Sequence, residues 1–112
     1  MIVAEFYKQA DGKIIGFSVD GHANFGGKGF DIYCAATSMM SQSTYLCIRD
    51  HLKREFIWDA DSGRLMMRLN APPDDLTEVS FQTMLIGMKE LEKLNPKLVK
   101  VKVKNFLGGD KQ

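Results

Sequence analysis

A chain of 112 residues carrying a net charge of +1, with 45% apolar and 26% charged residues, fits one globular domain. Disordered and fibrous classes are excluded, and no global charge draws the chain to nucleic acid or an anionic membrane. No run approaches the roughly eighteen apolar residues of a membrane span, and the opening "IVAEFYK" carries Glu5 and Lys8 where a signal peptide needs an apolar core. A cytoplasmic location without a membrane partner is therefore expected. In that reducing compartment Cys34 and Cys47 are read as thiols.

In chain order, "IVAEFYKQ" and "KIIGFSVDG" flank an Asp-Gly pair, which predicts a hairpin with strands near residues 2–9 and 13–20. Gly21, Gly26, Gly27 and Gly29 follow within nine residues and predict a mobile loop. From Ala35 to about Arg54, Ala36, Met39, Met40, Leu46, Cys47 and Ile48 recur at helical spacing, which predicts a partly buried helix with these residues inward and Ser41, Gln42 and Arg49 on other faces. "EFIWD" and "RLMMRLN" around "ADSG" predict a second hairpin, with Leu65, Met67 and Leu69 on one face. "APPDD" opens a helix over about 74–94 with Phe81, Met84, Leu85, Met88 and Leu91 inside, and Pro96 closes it. "KLVKVKVKNF" alternates Val99, Val101 and Val103 against Lys100, Lys102 and Lys104, which predicts a strand with the valine face buried and the lysine face wet. The order β-β-α-β-β-α-β predicts an α+β fold, a largely antiparallel sheet with two helices on its apolar face, over a single domain of residues 1–112.

The chemistry concentrates in "GHANFGGKGFDIYCAATS", residues 21–38. A cysteine within a residue or so of a helix start meets unpaired N–H groups and the positive end of the helix dipole, both of which favour a thiolate. His22, at the end of a strand, leads into the loop that ends at Cys34, so an imidazole can pair with the thiol across it. Backbone N–H groups after Cys34 are candidate oxyanion donors. Asp31 has two open readings, helix cap or orienter of the imidazole. Ser38, one turn beyond Cys34, is read either as a solvated helix residue or as support for the thiol.

"GHA" after a strand, then the loop of residues 23–30 and "DIYCAATS" opening a helix, resembles the ribosomal-processing cysteine protease family, called Prp or YsxB-like. Two positions depart from the family pattern: Tyr33 and Thr37 stand where valine is usual. The resemblance implies Cys34 as nucleophile and His22 as general base, with Asp31 and Ser38 in supporting positions and no cofactor. It implies a homodimer, and as substrate the short N-terminal extension of ribosomal protein L-twenty-seven, with a pair of aromatic residues before the cut. Phe25, Phe30 and Tyr33 are candidates to receive those rings. Together with Gly26, Gly27 and Gly29 they form the expected substrate-binding or lid segment.

Two other readings compete. Cys47 and His51, four apart on one helix, have metal-ligand spacing, but Cys34 and Cys47 are thirteen residues apart, roughly 20 Å at 1.5 Å per residue, so the two cysteines cannot share one ion. Cys47 is expected in the core and His51 on the surface, with no metal. The alternative to an enzyme is a ribosome-associated module that binds protein or RNA through Lys100, Lys102 and Lys104. Three lysines on a strand more often guard a solvated edge, and no direct nucleic-acid contact is required.

Overall fold

The computed structural model describes residues 1–21, 30–61 and 63–106, with the side chains of 30 and 31 excepted. The strands are β1 (Ile2–Lys8), β2 (Ile14–Asp20), β3 (Phe56–Asp61), β4 (Arg64–Leu69) and β5 (Val99–Asn105), and the helices are α1 (Phe30–Leu46) and α2 (Asp75–Leu94). They form one sheet in the order β3-β4-β2-β1-β5, antiparallel throughout except that β5 runs parallel to β1. The α+β class and the element order are as the sequence predicts.

Alternation decides which side of the sheet is covered. Phe6 pairs with Phe17, and Phe17 with Met67, so these side chains share a face. Helix α2 lays Phe81, Met84 and Met88 onto that face, with Phe81 meeting Phe17 edge-on at 6.2 Å. A bulge between Tyr7 and Lys8 leaves an extra residue on β2, which lets Ile14 and Ile15 both be buried. The amide of Ile14 then donates to Glu78 on α2 at 2.7 Å, tying helix to strand. Asp74 caps α2 through the amides of Leu76 and Thr77 and accepts from Arg54 at 2.8 Å. The Arg54 hydrogen bond, followed by that from Thr77, holds the Asp74 carboxyl below its usual pKa.

Helix α1 begins at Phe30, five residues earlier than the apolar periodicity places it. Gly29 is the last helix breaker before the segment, so nothing stops the helix from starting directly behind it. At its far end the winding loosens into a π-helical turn, Cys47–His51, where the Leu52 amide donates to the Cys47 carbonyl at 2.9 Å. Lys53, with φ at +60°, ends the helix. Tyr45 stacks on Trp58 of β3 at 4.1 Å and fixes the helix against that edge of the sheet. Next to α2, Met40 occupies space that only a glycine at position 87 leaves open, since a Cβ there would lie 2.3 Å from its sulfur.

Two side-chain placements need correction. Met39 is 64% exposed rather than inward, and the buried face of α1 is lined by Thr37, Ser41 and Thr44 and continues to Ile48 in the turn that follows the helix. Small polar residues carry no hydropathy signal, so the apolar count finds Ile48 and misses the rest of that face. On β5, Val103 is 42% exposed, because the strand is an edge of the sheet. The lysines of β5 lie on the open face, where Lys104 pairs with Glu5 at 3.1 Å. Burial raises the Glu5 carboxyl, but hydrogen bonds from Lys104 and Tyr7 outweigh it and the net displacement is downward.

Candidate active site

Cys34 is the fifth residue of α1, half-buried and packed against the core, and it is not in a disulfide. The sequence places it at the helix start; it lies one turn inside. On α2 the fourth residue, Glu78, is the first to donate along the helix, to the Asp74 carbonyl, and by the same count the N–H groups of residues 30–32 lack an intrahelical partner in α1. The amides after Cys34 belong to the helical ladder, so the oxyanion donors expected there are already committed. The sulfur still gains from the dipole, because a helical Cβ tilts toward the N-terminus and carries the thiol back over the first turn.

The remaining site residues divide by where they fall. Ser38 follows Cys34 by one turn on α1, half-buried, and its carbonyl accepts from the Ser41 hydroxyl at 3.1 Å. Tyr33 is half-buried and packs against the core. Phe30 and Asp31 occupy the first two helical positions. His22, Phe25, Gly26, Gly27 and Gly29 lie outside the described residues. The strand before His22 is anchored by Gly21, whose amide donates to the Gly63 carbonyl at 2.6 Å. At φ of +85°, with space for a Cβ only 2.1 Å from the Met1 carbonyl oxygen, that position admits glycine alone. The sequence shows the glycine but not this constraint, which comes from the neighbouring chain start.

Cys47 is half-buried rather than in the core as expected, because it faces a groove of about 660 Å³ between the two helices, which exposed His51, Met39, Leu76 and Val79 also line. Cys34 is not in that groove, so the groove and the thiol are separate. Among the described residues no three His, Cys, Asp or Glu side chains gather as metal ligands do, and no helix is long and apolar enough to cross a membrane.

A thiol one turn into the first helix of an α+β fold suits a cysteine protease, and the comparisons with known proteins place the chain in that class. The family model for cysteine protease Prp matches residues 1–100. The ribosomal processing cysteine protease Prp of Staphylococcus aureus is 30% identical over 94 residues, covering 82% of this chain and 89% of the relative. A crystal structure from Streptococcus mutans is similar with a TM-score of 0.86 at 25% identity, covering 95% of this chain and 99% of the other. The structure of the S. aureus protease with a substrate peptide shares the fold, with a TM-score of 0.82 at 22% identity over 95% of this chain and all of that one. This chain belongs to the cysteine protease Prp family. The reading as a non-catalytic binding module is set aside.

Proposed function

We propose that residues 1–112 form a single protease domain in which Cys34 attacks the scissile carbonyl carbon, while His22 accepts the thiol proton and returns it to the leaving amine. The thioester formed on Cys34 is then hydrolysed by water. The observation that carries this reading is the place of Cys34: packed on the core for rigidity, partly open to solvent, and within reach of the positive end of α1. Asp31 and Ser38 support it from the same helix, and residues 23–30 serve as the segment that admits the peptide.

The substrate we propose is the N-terminal extension of ribosomal protein L-twenty-seven, processed in the cytoplasm. Support comes from the relatives: the S. aureus protein is named for ribosomal processing, and it has been crystallised with a substrate peptide and with a covalently linked product peptide. An aromatic pair ahead of the cut would be received near Phe25, Phe30 and Tyr33. Each ring taken from water contributes about 1.5–3 kcal/mol, roughly ten- to a hundredfold in affinity. Replacing both aromatics by alanine in a synthetic peptide is therefore expected to lower kcat/KM by at least about tenfold. Equal turnover of both peptides would remove aromatic recognition.

The working unit we propose is a homodimer. Ile32, Met39, Leu76, Val79 and Ile86 are each more than half exposed on the two helices, an apolar surface suited to a second copy. Light scattering is expected to give twice the chain mass at micromolar concentration; a monomer mass would reject the dimer.

A further inference from the structure

The inner seam of α1 runs Cys34, Thr37, Ser41, Thr44, Ile48, a spacing of three and four residues that sets them on one face. Thr37 and Ser41 are fully buried and Thr44 nearly so. Helical serines and threonines ordinarily satisfy a buried hydroxyl by donating to a carbonyl of the preceding turn. Ser41 does so to Ser38 at 3.1 Å, Thr44 to Met40 at 2.8 Å, Thr77 to Asp74 at 3.0 Å and Thr83 to Val79 at 2.8 Å. Thr37 does not. Its Oγ1 is the single buried side-chain polar atom among the described residues without a hydrogen-bond partner.

A buried hydroxyl without a partner destabilises the fold relative to an isosteric valine. The usual remedy is stereochemically at hand in this helix and is not taken. What lies one turn away on the same face is the Cys34 sulfur, the one atom of the seam on which the reaction develops negative charge. In this structure the Thr37 hydroxyl bonds neither a helix carbonyl nor the Cys34 sulfur, and we propose that it turns to donate to the Cys34 thiolate once that anion forms. The inference rests on Cys34 being the nucleophile. In this role the hydroxyl tunes the thiol and is not required for turnover as such.

The test uses the Cys47→Ser protein, so that iodoacetamide alkylation reads Cys34, and compares Thr37→Val, Thr37→Ser and Thr37→Ala across a pH series. Val and Ala are expected to move the alkylation midpoint to higher pH, slowing the reaction below it by about three- to tenfold, as loss of one charge-assisted hydrogen bond implies. Ser is expected to keep the midpoint. Val is also expected to raise Tm by a few degrees, since an unsatisfied group has gone. An unmoved midpoint in the Val protein, or an equal shift in Ser and Val, would overturn the proposal: the hydroxyl would then be only a structural cost, or the methyl the active part. Peptide cleavage that survives Cys34→Ala would instead sink the nucleophile assignment, so the two failures are separable.

Discussion

Cys34→Ala is expected to lower kcat/KM for peptide cleavage by about 10⁴-fold or more, the scale on which loss of a covalent nucleophile registers, whereas Cys47→Ser leaves cleavage largely intact. The two thiols share a helix and differ in surroundings. Cys34 sits one turn from the positive end of α1, while Cys47 lies in a π-helical turn at the other end, where the dipole disfavours an anion. His22→Ala is expected to abolish turnover as well and to raise the pH at which Cys34 is alkylated, because the thiolate loses a cationic neighbour. Peptide assays on folded proteins, verified by circular dichroism, check all three. Comparable losses from the two cysteine changes would sink the assignment.

Gly21→Ala is expected to cost at least about 1–3 kcal/mol in stability from backbone strain alone. The steric conflict adds to this: the new Cβ would sit 2.1 Å from the Met1 carbonyl oxygen, a backbone atom that cannot swing aside as a side chain can. For a domain of this size each 1 kcal/mol lowers Tm by about 4–8 °C, so a fall of at least several degrees is expected in a thermal melt. Activity should fall further than stability at temperatures where the variant is still folded, because Gly21 sets the direction in which the chain leaves β2 toward His22. Gly12→Ala is the control, since its Cβ would meet nothing within 4 Å although its φ is also positive. Equal melting of the two variants would show that the contact with Met1 carries no weight.

Much of this architecture is legible in the residues. Asp11-Gly12 between alternating runs gives the first hairpin, and "APPDD" gives the start of α2, because each uses a local signal that tertiary context does not override. The parallel pairing of β5 with β1 has no local signal; it follows from α2 carrying the chain back across the sheet. The start of α1 is missed although Phe30, Tyr33 and Cys34 stand at i, i+3 and i+4, because the glycine cluster just before them reads as loop and draws the boundary too late. Its buried face is missed because Thr37, Ser41 and Thr44 read as polar although two of the three satisfy their hydroxyls within the helix. The site is legible through its motif, with Cys34 and Ser38 on one helix as expected. The committed amides after Cys34 are not legible, since they depend on where the helix begins.

The central claim is that Cys34 is the thiol that attacks the peptide. A synthetic peptide copying the ribosomal protein's N-terminal extension, ending in a chloromethyl ketone after the aromatic pair, should alkylate that thiol and stop turnover. Trypsin then releases residues 29–49, which hold both cysteines, and tandem mass spectrometry assigns the adduct. The expected result is one adduct, on Cys34, suppressed by excess unmodified peptide. An adduct on Cys47, or labelling of both thiols at equal rates, would contradict it.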